Sequence, residues 1–86
     1  MKKIVAKFGG SSLASAKQFQ KVKDIIEADE ARCYIVVSAP GKRHAEDSKI
    51  TDILLMCHQL AAHHLSFDEI FEKAAERFRS IVKELE

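Results

Sequence analysis

A chain of 86 residues with 47% hydrophobic residues and a formal charge of +1 is at most one small globular segment. Its 14 basic and 13 acidic residues interleave, which leaves no field of one sign to hold nucleic acid or an anionic membrane surface. No apolar run nears the roughly 20 residues of a membrane span, and Ile4 to Ala6 is too short for a signal-peptide core, so a cytoplasmic location is the default.

The first predicted element is a strand over Lys3 to Phe8, almost continuously apolar, as suits a strand covered on both faces of a parallel sheet. It stops at Gly9-Gly10-Ser11-Ser12, and a helical pattern follows within a few positions. A strand, a tight turn and a helix start leave backbone N–H groups at the positive end of a helix dipole, where a phosphate is favoured. Lys7 is then a cation beside glycines that let a ligand approach the backbone. An ordinary strand-to-helix turn explains the same residues, since neither the P-loop spacing nor the dinucleotide Gly-x-Gly-x-x-Gly is present.

Ser15-Ala16-Lys17-Gln18 has the form of a capping box and opens the first helix. Ala16, Phe19, Val22, Ile25 and Ile26 recur at helical spacing with Lys17, Lys21, Lys23, Asp24 and Glu27 mostly opposite, and the polar run Glu27 to Glu30 ends the pattern. Cys33 to Val37 is β-branched and aromatic and too short for a helix, which predicts the second strand. Cys33 and Cys57, without Cys-x-x-Cys spacing, read as small buried apolar groups in a reducing compartment. Strand, helix and strand make a parallel unit with a right-handed crossover. Two strands alone are marginal, so further strands are expected from a partner or from a longer protein.

Ser38-Ala39-Pro40-Gly41 closes the second strand with turn chemistry, and Lys42 to Ser48 reads as an exposed loop. This loop lies at the same sheet end as Gly9 and Gly10, the end where ligands bind in open α/β sheets. A helix from about Ile50 to His64 carries Ile50, Ile53, Leu54, Cys57, Leu60 and Ala61 on one stripe, with Ser48 or Thr51 as its cap. His58, His63 and His64 do not share a face at ligand spacing, so no metal site is assigned and they read as exposed polar residues near a helix end. Ser66-Phe67-Asp68-Glu69 reads as a second capping box. Phe67, Ile70, Phe71, Ala74, Phe78, Ile81, Val82 and Leu85 then give the last helix a strong apolar face, expected to be buried on the body of a domain.

Lys7-Phe8-Gly9-Gly10-Ser11-Ser12 resembles the opening of aspartate kinases, members of the amino acid kinase family, whereas acetylglutamate and glutamate kinases open with other variants. Ser38-Ala39-Pro40-Gly41-Lys42, followed by Lys49-Ile50-Thr51-Asp52-Ile53-Leu54, is similar to the second aspartate kinase segment. The resemblance implies an α/β fold: the strand-helix-strand start of a parallel-sheet amino acid kinase domain, followed by two helices, with residues 1–86 its incomplete amino-terminal part. It implies transfer of the γ-phosphate of ATP to the side-chain carboxylate of L-aspartate, the first step towards lysine, threonine and methionine.

In that reading Lys7 neutralises the moving phosphoryl group. Phe8, Gly9, Gly10 and Ser11 belong to the phosphate site, and Ser38 and Thr51 hold aspartate. Mg²⁺ is expected with ATP, although no carboxylate in the chain is an obvious ligand. The isolated chain is expected to be inactive, completed by the remainder of the catalytic domain or by a homo-oligomer. A non-catalytic interaction fragment and another amino acid kinase are the alternative readings.

Overall fold

Two parallel strands and three helices form the body of residues 2–86, which the computed structural model describes. Strand β1, Ile4–Phe8, pairs with β2, Arg32–Val37, in parallel. Lys7 stands opposite Val36 and Phe8 opposite Val37, with the register irregular just after Ile4. The Ser38 N–H extends the ladder by donating to the Phe8 carbonyl at 3.1 Å. Adjacent parallel strands joined by one helix are as the sequence predicts.

Helix α1, Ala16–Glu27, makes the crossover. Ser15 caps it, its hydroxyl accepting from the Gln18 N–H at 3.4 Å. Between β1 and α1 lies a one-turn 3₁₀ helix, Gly10–Leu13, that the sequence reading did not anticipate. It swings Leu13 inward. Phe8, Leu13 and Val22 then form a core with Ala6, Phe19 and Ile26 against it. Burial of this kind is worth about 1.5–3 kcal/mol per large side chain.

Because alternate strand residues face opposite ways, Ala6 and Phe8 on the α1 side put Val5 and Lys7 on the other. That second face is bare. Val5 is exposed, as are Tyr34 and Val36 beside it on β2. The expectation of strands covered on both faces is therefore corrected: α1 packs on the Ala6 and Phe8 side of β1 but leaves Ile35 and Val37 of β2 exposed, and no described element covers the other side. Cys33 is exposed, contrary to its reading as a buried group: it falls at the register irregularity, on a strand of which no residue is buried, whereas Cys57 is buried as expected.

Helices α2, Ile50–Ala62, and α3, Asp68–Leu85, form a hairpin whose core is Ile50, Ile53 and Ala74 with Ile70 against it. His63 and His64 turn the chain. The Leu65 N–H donates to Leu60 O at 2.9 Å and the His64 N–H to Ala61 O at 3.0 Å, while His64 takes a left-handed φ of 58°. This is a Schellman stop in which a histidine occupies the position glycine prefers.

Neither expected cap forms on the hairpin helices. Lys49 stands at the N-cap of α2 with no side-chain bond, so neither Ser48 nor Thr51 caps it. Phe67, not Ser66, stands at the N-cap of α3. The phenylalanine stripe is corrected as well. Phe67, Phe71 and Phe78 are exposed, and the buried face of α3 runs through Ala74, Arg77 and Ile81 instead. With its hairpin extended from the sheet, the molecule measures 54 × 25 × 23 Å. Its radius of gyration, 15.7 Å, exceeds the roughly 12 Å of a compact chain this long.

Candidate functional site

The carboxyl ends of both strands open into one cavity of ≈ 410 Å³, lined by Gly10 and Ser11 on one side and by Ser38, Ala39, Pro40, Gly41, Lys42, Lys49 and Thr51 on the other. Four residues singled out in the sequence, Gly10, Ser11, Ser38 and Thr51, are brought together here although the first and last lie 41 positions apart. Each arrives by a different local device. Gly10 and Ser11 begin the 3₁₀ turn, Ser38 is the first residue beyond β2, and Thr51 is exposed in the first turn of α2.

Lys42 and Lys49 were missed. Both are exposed and line this cavity, adding two cations to a rim of hydroxyl and backbone groups. Their signal lay in the sequence as the flanks of Gly41 and Thr51. The lining contains no carboxylate. Among the described residues no group of three or more His, Cys, Asp or Glu is placed to hold a metal ion. The charge stabilisation that the lining of this cavity can offer an anion comes from lysines, hydroxyls and N–H dipoles.

The remaining sequence candidates, Lys7, Phe8 and Gly9, do not line this cavity. Lys7 is exposed on β1, on the sheet face away from α1. The Phe8 side chain is buried with Leu13 and Val22, which leaves only its backbone toward the strand end. Gly9 is exposed, and a methyl group added to it would meet nothing within 4 Å. Gly10 differs. A Cβ there would lie 3.1 Å from Ala39 O and 3.2 Å from Gly41 Cα. Its lack of a side chain serves the close approach of the second loop rather than the approach of a ligand.

That second loop is fixed by charge. Arg43 grips Asp47 through Nε at 2.6 Å and Nη2 at 3.0 Å, and the Arg43 N–H donates to the same carboxylate at 3.0 Å. Hydrogen bonding from Arg43 holds the Asp47 carboxyl well below the usual carboxylate range, and the same pair raises the Arg43 pKa. Behind the loop, Arg77 of α3 is 5% exposed and donates to three backbone carbonyls: Ser48 at 2.9 Å, Ala14 at 3.0 Å and Gly41 at 2.8 Å. Burial lowers its pKa while Asp47, 3.6 Å away, raises it. The sequence reading passed over Arg77. Its signal was its place within the arc of Ala74 and Ile81, three residues after one and four before the other.

A second groove of ≈ 380 Å³, between α3 and the 43–48 loop, is lined by Arg43, Asp47, Glu69, Glu72, Glu76 and Arg77 among others. It lies away from the strand ends and gathers the ion pairs just described.

No family model matches the chain. Over 82 residues, 95% of its length, it is 49% identical to Aspartokinase 3 of Bacillus subtilis (strain 168). A crystal structure of aspartate kinase from Clostridium acetobutylicum matches 99% of the chain at 49% identity with a TM-score of 0.95. The chain spans 18% of the length of the first relative and 20% of the second. Its α/β fold is that of an aspartate kinase segment.

Proposed function

We propose that this chain, similar in sequence and fold to a segment of aspartate kinases, is the amino-terminal part of a catalytic domain that transfers the γ-phosphate of ATP to the side-chain carboxylate of L-aspartate. One observation carries the proposal: a single cavity joins the glycine and hydroxyl ends of the two strand loops, so that a phosphate donor and a carboxylate acceptor can meet there.

Phosphoryl transfer asks the protein for positioning and charge stabilisation more than for covalent chemistry. In this reading Gly9, Gly10 and Ser11 present backbone and hydroxyl donors to the phosphates, with Phe8 contributing through its backbone. Lys7, on a flexible stem at the end of β1, offsets charge on the transferring group. Ser38 and Thr51 hold aspartate, and Lys42 and Lys49 favour an anionic acceptor at the rim. Residues 1–86 form part of a larger active site, whose completion falls to the remainder of the domain or to an oligomer.

No helix among the described residues is long and apolar enough to cross a membrane. We place the enzyme in the cytoplasm, at the entry to lysine, threonine and methionine synthesis.

The test is a chimera in which residues 1–86 replace the matching segment of the Bacillus subtilis relative, assayed for aspartate-dependent release of ADP from ATP. Activity within about tenfold of the parent is expected, a loss of no more than about 1.4 kcal/mol in transition-state binding. A folded chimera without aspartate-dependent turnover would overturn the proposal.

A further inference from the structure

We propose that Arg77 is a positioning residue that holds the phosphate side and the acceptor side of the cavity in one register, an inference that rests on the kinase reading above. The guanidinium does not line the cavity, but it binds the carbonyl of one lining residue, Gly41, and of two residues, Ala14 and Ser48, that adjoin the other lining segments. Ala14 directly follows the 3₁₀ turn that carries Gly10 and Ser11. Gly41 belongs to the loop after Ser38 and lines the cavity. Ser48 directly precedes Lys49, where α2 and Thr51 begin.

Two backbone bonds lock the same junction. The Gly41 N–H donates to Gly10 O at 2.8 Å and the Ile50 N–H to Pro40 O at 3.1 Å. Arg77 thus stands behind the meeting point of three segments that approach one another only in the folded chain. A planar fork with several fixed donors can bridge carbonyls in this way; a single ammonium cannot reproduce the geometry. Ala74 and Ile81, one turn on either side and both buried, seat the fork, and Asp47 balances its charge.

Displacing one wall by about 1 Å can cost about a hundredfold in turnover. Two of the three carbonyls belong to the acceptor side. In the chimera described above, Arg77→Met is therefore expected to lower kcat/KM for aspartate by about a hundredfold, with KM for ATP within about threefold of the parent. Arg77→Lys should recover part of the loss.

Turnover is referred to folded enzyme, measured well below each melting temperature. A loss that disappears on this correction, or a KM for ATP that rises as much as that for aspartate, would reduce Arg77 to a stability role and overturn the inference. Hydrogen exchange on the 86-residue chain gives an arm independent of catalysis. Arg77→Met should speed exchange at the Gly41 and Ile50 amides by at least about tenfold relative to the Ser38 amide on the sheet. Unchanged or uniformly faster exchange would overturn the positioning role. An inactive wild-type chimera with selective exchange at Gly41 and Ile50 would instead refute the kinase reading and leave Arg77 as the organiser of this junction.

Discussion

Gly10 and Gly41 meet backbone to backbone: the Gly41 N–H donates to Gly10 O at 2.8 Å, and a Cβ on Gly41 would lie 2.7 Å from the Gly10 carbonyl carbon. No glycine among the described residues has a positive φ, so the requirement here is space and not an unusual backbone angle. Gly41→Ala should cost about 1–3 kcal/mol, the range for forcing atoms into a filled site. Gly9→Ala should behave oppositely. Gly9 has φ −75° and ψ 174°, and nothing stands within 4 Å of an added methyl group. Stability should then hold or rise by up to about 1 kcal/mol through the stiffer unfolded chain. Denaturant midpoints of the two variants give the check. If the open space at Gly9 is where phosphate lies, the same alanine should lower turnover in the chimera without loss of stability.

The Arg43–Asp47 clasp predicts an acid transition in the 43–48 loop. Asp47 has a folded pKa below its unfolded value, so the stabilisation is present above about pH 4 and is lost as pH falls towards the folded pKa. Amide exchange in this loop should rise on acidification before that of α1 rises. Asp47→Asn should abolish the extra acid sensitivity. Arg43→Ala should cost only about 0.5–1 kcal/mol at neutral pH, because the arginine is 45% exposed and its attraction is screened by water.

The strand-helix-strand order, the Ser15 cap and the cavity-forming pair of loops were legible because they rest on local chemistry: apolar runs, a hydroxyl before a helix, and glycines at strand ends. What the sequence obscured depends on neighbours. Val36 has the composition of a buried strand residue, yet α1 packs on the Ala6 and Phe8 side of the sheet and Val36 faces the other; Cys33 is exposed on a strand of which no residue is buried. Phe71 and Phe78 continue an apolar stripe, yet α2 and α1 meet α3 along Ala74, Arg77 and Ile81. Arg77 was hidden for the converse reason. A buried arginine is permitted only where carbonyls from Ala14, Gly41 and Ser48 converge, and no local pattern displays that convergence.

His64 offers a stability test remote from the cavity. It holds the left-handed position of the α2 stop with a side chain that opposes that conformation. His64→Gly should raise stability by about 0.5–1 kcal/mol, and His64→Val should lower it, because a β-branched residue tolerates φ near 58° poorly. Thermal melts of the three proteins provide the comparison. A destabilised glycine variant would mean that the imidazole makes a contact which offsets its strain.

The exposed apolar faces predict self-association of the 86-residue chain. Val5, Tyr34 and Val36 form one patch on the sheet, and Phe71, Phe78 and Val82 are exposed along α3. Sedimentation at tens of micromolar should show species heavier than the monomer, and Val36→Lys or Phe78→Glu should shift the population towards it. A stable wild-type monomer with well-protected amides would contradict this.

Lys7 and Thr51 separate the two halves of the proposed chemistry. Lys7 is exposed and Thr51 caps nothing, so neither substitution should unfold the protein. Lys7→Met keeps most of the stem and removes the charge. In the chimera it should lower kcat by on the order of a hundredfold, about 3 kcal/mol of lost stabilisation at the moving phosphoryl group. Thr51→Val removes a hydroxyl at nearly constant volume. If that hydroxyl donates to the aspartate carboxylate, KM for aspartate should rise about tenfold or more, as for a lost bond to a charged group, while KM for ATP and the melting temperature barely move. The absence of a side-chain cap sharpens the comparison, since a fall in stability can no longer be credited to α2 losing its N-terminal partner. Normal turnover in the Lys7 variant would remove that lysine from the phosphate site, and an unchanged aspartate KM in the Thr51 variant would move the acceptor away from the start of α2.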